Sequence, residues 1–388
     1  MKNHYLFSQP HQPFFVLAFT NAIVSMFIFM LLFKALVASE ILSVNYHTYS
    51  FIYLMFTPAF LAFLFTTFPR FSATDPISQK HYMYVFWLFL AGSILFHIGI
   101  FFSTFLLTVG ILLTLVGHAG AVYLLYEIYK KAKVTEKSDQ MWILVSMIAG
   151  VVSHIIFFIS IWLPTFHRFA IEIAIYIYLF LLIFTIAQRM VPFFSHTPIE
   201  KHTERFKVIV GLLGLHVLLE SIQIHSSFLT DFLLAYLIGK ELYRWKLPFP
   251  NPNPLVWVLH VALFWIPVAF LLSSITNIIS LSSGTNFLSL DIHALALGFF
   301  LTMLIGFGTR VTLGHSGNSM YADRLTTILF YWTQVVIFIR ILTSFAVATN
   351  WNFVVFFDLS ITVWIVLFAL WGSRFFAVLI FGQKLENK

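Results

Sequence analysis

Long apolar runs are the feature that most constrains how this chain can fold. About twelve runs approach the ~20 residues that a helix needs to cross the hydrocarbon core of a bilayer. Only 10% of the 388 residues are charged, against roughly 25% in an average soluble domain. No hydrophilic stretch is long enough to form a soluble domain. The sequence therefore predicts an all-α, polytopic membrane protein, with residues 1–388 forming a single integral membrane domain.

The predicted membrane spans are numbered one to twelve in chain order. Spans seven and eight are short and closely joined. The opening MKNHYLFSQPHQPFF lacks the n-region and the small-residue cleavage site of a signal peptide, so we expect the first span to be retained. The spans are expected near 14–36, 48–69, 82–101, 103–129, 141–163, 169–190, 208–226, 228–245, 255–277, 289–310, 325–347 and 352–380.

The basic residues fall almost entirely on one side of these spans. When the connecting segments are assigned alternately to the two faces, 19 of the 22 Lys and Arg residues lie on the side of the N-terminus. The other face keeps Lys34, Arg168 and Arg340. The positive-inside rule then places both termini in the cytoplasm and favours an even number of spans. The net charge of +7 is therefore a topological signal, and nothing in it supports nucleic-acid binding.

Histidine is the main candidate for metal chemistry, because the chain has no cysteine. Disulfides, thiolate sites and cysteine-ligated Fe–S clusters are thus excluded. Ionisable groups inside a bilayer are costly and mark functional sites by default. For each histidine inside a span, the alternative to a metal ligand is a neutral imidazole that is hydrogen-bonded to a backbone carbonyl of a neighbouring helix. Eight histidines fall inside spans: His47, His97, His225 and His293 near the outer ends, His118, His154 and His216 near the middle, and His260 near the cytoplasmic face.

The remaining ionisable groups give weaker signals. Glu220 and Asp358 also fall within apolar runs and are candidates for a proton relay or a salt bridge. We favour pairing with an arginine or a buried water. We expect the other terminal, loop or boundary histidines to be mostly solvated: His4, His11, His81, His167, His196 and His202.

Three spans end in a similar way. Spans two, six and ten leave the membrane at the cytoplasmic face through Arg70, Arg189 and Arg310, in FTTFPRFS, TIAQRMVPFF and GFGTRVTLGH. This spacing suggests three four-helix units. The alternative is that the three arginines do not mark a repeat, because cytoplasmic helix ends often carry arginine. We give the two interpretations equal weight.

The segment HALALGFFLTMLIGFGTRVTLGHSG (293–317) concentrates unusual residues in span ten. We expect His293 about one turn inside the outer face and Arg310 at the cytoplasmic exit. GHSG is expected to form a tight cytoplasmic turn, where His315 is either solvated or functional. Small side chains recur every four residues and allow the close approach of a helix, the favoured reading, or of a planar ring: Ala294, Gly298, Thr302 and Gly306.

These motifs resemble the NnrS family of bacterial inner-membrane proteins. HQPFFVLAF (11–19) is similar to that family's Phe-Arg-Pro-Phe-Phe entry to the first helix, with Gln12 in place of the arginine. QRMVPFF (188–194) and PLVWVLHVALFWIP (254–267) resemble two further family segments. The segment at 293–317 is the most specific match, close to His-Ala-Leu followed by Arg-Val-Ser-Leu-Gly-His-Thr-Gly. The resemblance covers nearly the whole chain.

One departure from the family pattern concerns the second helix. Relatives tend to carry Trp-His-Ala-His-Glu there, whereas this chain has YHTYS (46–50). His47 is kept, but Tyr49 and Ser50 replace the second histidine and the glutamate. The resemblance therefore does not extend a metal or proton role to those two positions.

The resemblance implies b-type haem, copper as a second cofactor, and a role in the response to nitric oxide during low-oxygen respiration. It also implies a bacterial inner-membrane location. Three four-helix units with histidines on spans two and ten resemble, in architecture, the core subunit of haem–copper oxidases and nitric oxide reductases, where outer-side histidines of those helices hold a haem. On that analogy, His293 and His47 are the first-choice axial ligands, and His97 is the reserve.

The other assignments are less direct. His154, His216 and His225 are the candidates for a second metal site. Arg310, with His315, is a candidate for binding an anionic group. That group would be a haem propionate only if a haem lay near the inner face, so we favour a structural role for Arg310.

Three functions stay open from the sequence. The first is haem-dependent handling of nitric oxide, with or without turnover as an oxidoreductase fed by a respiratory electron donor. The second is a proton-coupled transporter whose path would use His118, His154, His216 and Glu220. The third is a haem-bearing sensor or assembly partner without turnover.

Overall fold

The computed structural model describes residues 4–39, 41–197, 199 and 202–385. Within these ranges the chain is helical and contains no strand. Twelve long helices follow one another: α1 (His11–Phe33), α2 (Ser43–Phe71), α3 (Gln79–Phe102), α4 (Thr104–Lys131), α5 (Ser138–Ile159), α6 (Pro164–Phe194), α7 (Thr203–Ile222), α8 (Phe228–Arg244), α9 (Pro254–Ser283), α10 (Leu290–Ser316), α11 (Arg324–Ala348) and α12 (Phe353–Phe381).

Ten of these helices are long and apolar enough to cross a membrane, counted over the described part of the chain. The predicted all-α polytopic membrane fold is therefore confirmed. The exceptions are α7 and α8, which correspond to the two short spans. The 17-residue α8 is short. Charged residues occupy the first turns of α7 and the last turns of α8, among them Arg205 and Lys207 in α7 and Lys240 and Arg244 in α8.

Local sequence signals account for several helix ends. The side chain of Asn253 caps α9 by accepting a hydrogen bond from the amide of Leu255 at 3.0 Å, and Pro254 occupies the first turn, where no amide proton is needed. Gly284, with a φ of 70°, ends the same helix in the left-handed conformation. Asp323 caps α11 through the amide of Thr326 at 2.8 Å.

The predicted bounds agree with the helices to within about six residues, and the differences at spans seven and ten have local causes. Span seven was expected at 208–226, whereas α7 is Thr203–Ile222, because its charged first turn is helical although it is not apolar. Span ten was expected to end at 310 with a turn at GHSG, whereas α10 continues to Ser316. The chain turns only at Gly317, whose φ is 66°.

Three helices share a local distortion. The π-helical segments among the described residues are Ser50–Phe56 in α2, Ile173–Phe180 in α6 and Ala296–Leu301 in α10. These three helices are also the most buried of the ten candidate membrane spans among the described residues. These are the same three helices that end in similar arginine motifs. The π-helical segments therefore recur at every fourth helix, as the arginine motifs do. π-Helical turns are rare and occur frequently at functional sites.

The chain clusters into two compact units, not into three consecutive groups of four helices. The first unit contains 1–164, 308–320 and 364–388, and the second contains 165–307 and 321–363. The three four-helix units therefore stay a prediction as a repeat, because this division groups segments near the C-terminus with the first helices and does not test a repeat. That the whole chain acts as one membrane domain stays a prediction. Of the basic residues behind the predicted topology, Lys2, Lys201 and Lys388 lie outside the described residues.

Small residues of α10 face large side chains of α9 within the second unit. A Cβ added at Gly298 would lie 2.7 Å from the Trp265 ring, and one at Gly306 would lie 2.6 Å from Leu259. The small-residue ridge of span ten therefore packs against a helix, as favoured from the sequence.

Candidate functional site

His47 and His97 both lie in the first unit, at the ends of α2 and α3 that we assigned to the outer face. The imidazole of His47 is half-buried between the rings of Phe29 and Phe51, whose centroids are 4.4 and 4.7 Å away. His97 Nδ1 lies 2.9 Å from the hydroxyl oxygen of Tyr46. Both imidazoles are therefore placed among aromatic side chains.

His97 has the arrangement that is typical of a metal ligand. Its Nδ1 is anchored by the Tyr46 hydroxyl, while its Nε2 is buried and has no hydrogen-bond partner among the described residues. Metal-bound histidines usually fix one ring nitrogen by a hydrogen bond and use the other as the ligand. When Nδ1–H donates to Tyr46, Nε2 carries the lone pair.

His293 lies in the second unit, in the first turn of α10. Its Nδ1 is 2.8 Å from the carbonyl oxygen of Ser289 and 3.0 Å from Nη2 of Arg340. The two contacts require different tautomers, because the guanidinium of Arg340 can only donate and the Ser289 carbonyl can only accept. The tautomer that donates Nδ1–H to Ser289, the shorter contact, leaves the lone pair on Nε2. His47 and His293 belong to different compact units, so their pairing as axial ligands stays a prediction.

Two fully buried imidazoles, those of His118 and His154, lie together in the first unit, with ring centroids 5.8 Å apart. His154 Nε2 is 2.9 Å from the Tyr49 hydroxyl oxygen. The ring of Tyr53 stacks on His154 at 4.0 Å with an interplanar angle of 18°. Tyr49, which stands where the family pattern has a histidine, is therefore in direct contact with a buried imidazole. We refer to His118 and His154 as the imidazole pair.

The second unit contains a different arrangement, the carboxylate network, formed by Arg168, Glu172, His216, Glu220 and Asp231. His216 lies between two acids: its Nδ1 is 2.5 Å from Asp231 Oδ1, and its Nε2 is 3.4 Å from Glu172 Oε2. Arg168 joins Glu172 at 2.6 Å and Glu220 at 2.9 Å. The His216, Glu172, Glu220 and Asp231 side chains are all at most 1% exposed.

The network is closed by short polar contacts. Glu220 accepts hydrogen bonds from the amide and hydroxyl of Ser227 at 3.1 and 2.8 Å. Asp231 accepts from the hydroxyl of Ser273 at 2.8 Å. Its Oδ2 also lies 2.8 Å from the Ser227 hydroxyl oxygen, whose single proton is donated either to Glu220 or to Asp231. From the sequence we favoured pairing of Glu220 with an arginine or a buried water over a role in a proton relay. The ion pair with Arg168 confirms this.

The three candidates for a second metal site are divided between the two units. His154 lies in the first unit, whereas His216 and His225 lie in the second. His216 is held by two carboxylates, and His225 Nδ1 lies 2.8 Å from the amide oxygen of Asn277. Across the described residues, no group of three or more His, Asp or Glu side chains is placed to hold a metal ion. A metal role for each residue separately stays a prediction.

The histidines that the sequence assigned to the cytoplasmic side also differ from expectation. His11, expected to be solvated, is only 2% exposed, and its ring centroid lies 5.0 Å from that of His315. His315 Nδ1 is 3.0 Å from the side-chain oxygen of Gln9. Arg310 is half-buried in the last turns of α10. His260 is fully buried; its Nε2 lies 2.7 Å from the Ser195 hydroxyl oxygen, and its Nδ1 is buried with no hydrogen-bond partner among the described residues.

Sequence reasoning missed Glu172 and Asp231, and it did not assign a role to Tyr49 or Tyr53. A signal was available for the two acids, because each is a single carboxylate inside an apolar run, in AIEIAIY and LTDFLLAY. No comparable signal exists for the tyrosines, because aromatic residues are common throughout the chain.

The arrangement offers two kinds of chemistry. In the first unit, neutral imidazoles in an aromatic environment suit a metal centre. In the second unit, an imidazole between two carboxylates suits the holding of a proton. Comparison with curated proteins gave no match. The family model described as NnrS protein, in contrast, matches residues 5–381. The chain therefore belongs to the NnrS family.

Proposed function

We propose that this protein is a haem-binding protein of the bacterial inner membrane that handles nitric oxide or confers tolerance to nitrosative stress. Membership of the NnrS family supports the nitric oxide role. The imidazole of His97, with Nδ1 anchored and Nε2 buried, carries the haem-binding part of the proposal. A bound haem iron with an exchangeable position would supply the site for nitric oxide.

The protein's own residues have three tasks in this proposal. His293 and His47 are the first-choice axial ligands, and His97 is the third candidate. Tyr46 and Ser289 orient two of these rings by accepting or sharing the Nδ1 proton. The aromatic rings around His47 exclude water, which favours a neutral gas over charged ligands.

We expect purified full-length protein to show a Soret band that shifts when nitric oxide is added. His47→Ala, His97→Ala and His293→Ala, each purified separately, are expected to reduce haem content where the residue is an axial ligand, because the iron loses one of its nitrogen ligands. Absorbance spectra and haem per protein are the measurements. His81→Ala is the matched control, because His81 is exposed.

Two outcomes would contradict this assignment. A full, unshifted low-spin spectrum in all three variants would exclude these histidines as ligands. Wild-type protein without a Soret band would contradict haem binding altogether and favour the second candidate below.

The second candidate is a proton-coupled transporter, and the carboxylate network favours it. Four ionisable side chains and Arg168 are joined inside one unit, and His216 contacts carboxylates on both ring nitrogens. Buried chains of Asp, Glu and His are typical of proton relays in pumps and transporters. The His118 and His154 part of the path expected from the sequence belongs to the other unit, so the network supports only the His216 and Glu220 part.

Both termini are proposed to be cytoplasmic, and cysteine labelling can test this because the chain has no cysteine. Gln223→Cys, in the exposed link between α7 and α8, is expected to react with a membrane-impermeant maleimide from outside the cell if these helices cross the membrane. Thr135→Cys, also exposed, is expected to react only after lysis.

This experiment distinguishes a topology with twelve membrane spans from one with ten. The residues before α7 and after α8 stay on the same side in both cases, and only the link between the helices changes side. Protection of Gln223→Cys in intact cells would mean that α7 and α8 do not cross. Labelling of Thr135→Cys from outside would reverse the proposed orientation.

A further inference from the structure

An open groove runs along the first unit, between the first turns of α3 and the last turns of α4. Its volume is about 1440 Å³, and the link between α2 and α3 forms its polar end. None of its lining residues belongs to the proposed haem site or to the carboxylate network. We propose that this α3–α4 groove binds one anionic phospholipid, with the phosphate at its lysines and an acyl chain between the helices. This inference does not depend on the proposed function.

The groove exists because α3 and α4 touch at one end and separate toward the other. A Cβ added at Gly99, beside the turn between the helices, would lie 2.3 Å from a backbone atom of α4. A Cβ added at Gly120, which lines the groove, would lie 3.7 Å from the Val85 side chain, its nearest neighbour on another helix. Gly120 therefore leaves open space between the helices where the turn-side glycine leaves none.

The polar end of the groove is held in place by hydrogen bonds. The amide of Lys133 donates to the carbonyl oxygen of Ser72 at 3.0 Å, which joins the segment after α4 to the residue that follows α2. The carbonyl oxygen of Phe7 accepts from the Tyr82 hydroxyl at 2.6 Å and from the Gln79 side chain at 2.8 Å. The shape of this end is thus part of the fold and does not have to form when a ligand binds.

Positive charge is in excess at this end. Lys80, Lys131 and Lys133 line the groove, against two acids, Asp75 and Glu127. Lys131 is already 3.6 Å from Glu127, whereas no ion pair joins Lys80 or Lys133 to an acid among the described residues. Lysine ammonium groups bind phosphate as point charges. The two unpaired, exposed lysines are therefore suited to a phosphate group.

The rest of the groove is aromatic and has the length of an acyl chain. Tyr84, Trp87 and Tyr123 line it and are 65%, 49% and 62% exposed. Gly120 and Lys131 are 11 positions apart in α4, which corresponds to about 16 Å along the helix. Half of the hydrocarbon core of a bilayer is roughly 15 Å thick. The groove therefore extends over the depth of one leaflet.

The two parts of the groove together select the ligand. A soluble phosphate would contact the lysines but leave the aromatic part uncovered, and a lipid without net charge would leave the lysines without a counter-charge. An anionic phospholipid satisfies both parts, and basic pockets between membrane helices are a known way of holding such headgroups.

The test uses delipidated full-length protein in detergent, titrated with phosphatidylglycerol and observed by native mass spectrometry. Wild type is expected to bind one phosphatidylglycerol more tightly than phosphatidylcholine with the same acyl chains. Glycerol phosphate, which carries the phosphate without the chains, is not expected to displace the lipid at equal concentration.

Two variants separate the headgroup from the chain. Lys80→Gln combined with Lys133→Gln is expected to weaken phosphatidylglycerol binding roughly fivefold for each lysine removed, with little effect on phosphatidylcholine. Gly120→Leu fills the space between the helices without a backbone clash and is expected to weaken the binding of both lipids.

Matched controls make the same changes elsewhere. Lys240→Gln combined with Lys246→Gln removes two exposed lysines of the second unit. Gly211→Leu adds a side chain where nothing lies within 4 Å of an added Cβ. Both controls are expected to leave lipid binding unchanged. A phosphatidylglycerol with a photoreactive acyl chain is expected to label the peptides that contain Tyr84 and Tyr123 in wild type, a measurement that needs no variant to fold.

Any of five results would overturn the proposal. Wild type would bind the two lipids equally, or glycerol phosphate would displace phosphatidylglycerol at equal concentration. The lysine variant or Gly120→Leu would bind as wild type does. The controls would lose as much binding as the groove variants. The photoreactive lipid would label only peptides outside the groove.

Discussion

Replacing Asp231 with alanine is expected to destabilise the protein by about 3–5 kcal/mol, the range found when one partner of a buried ion pair is removed. Asp231 is 0% exposed and lies 2.5 Å from His216 Nδ1. Its other oxygen accepts a hydrogen bond from Ser273 and lies 2.8 Å from the Ser227 hydroxyl oxygen. Truncation removes the acceptor of His216 Nδ1 and of the Ser273 hydroxyl, whereas the Ser227 hydroxyl keeps Glu220 as an acceptor. The free energy of unfolding, measured by SDS titration of the purified protein, is the readout.

Two further variants locate the cause of this loss. Asp231→Asn keeps the shape and much of the hydrogen bonding but removes the charge, so we expect a smaller loss than for alanine. Glu204→Ala is the surface control, because Glu204 also forms an ion pair, with Lys207 at 2.8 Å, but its side chain is 84% exposed. That change is expected to stay within roughly 0.5 kcal/mol. An equal loss in both alanine variants would mean that burial of the network contributes nothing.

The helices of this protein could be predicted from the sequence because hydropathy is a local property. All twelve were expected, and most bounds agree within a few residues. The charged first turn of α7 was missed because a hydropathy criterion ignores helical residues that are not apolar. The π-helical segments could not be predicted, since they depend on how α2, α6 and α10 pack and not on their composition.

The candidate site was predictable only as a set of residue types. The histidines that the sequence placed near the middle of their spans, His118, His154 and His216, are all fully buried. Their partners were not predictable, because each contact joins residues far apart in the chain. Tyr49 and His154 are separated by 105 positions. The departure at Tyr49 was visible in the sequence, but its consequence for His154 required the fold.

The turn between α3 and α4 depends on glycines more strictly than any pattern in the sequence indicated. Only Ser103 separates the two helices, so their adjoining ends must lie close together. A Cβ at Gly99 would lie 2.3 Å from the backbone nitrogen of Leu107, and one at Gly110 would lie 2.6 Å from the backbone nitrogen of Phe96. Backbone atoms cannot move aside as a flexible side chain can. The two helices would have to separate.

Gly99→Val is therefore expected to cost roughly 3 kcal/mol or more, at the upper end of what overpacking costs, and to lower the yield of monodisperse protein. Gly214→Ala is the matched control, because nothing lies within 4 Å of a Cβ added there. Alanine is a better helix former than glycine by up to about 1 kcal/mol, so the control is expected to be neutral or stabilising. The measurement is again unfolding by SDS titration. Equal stability of the two variants would mean that α3 and α4 do not cross at Gly99 as closely as the structure has them.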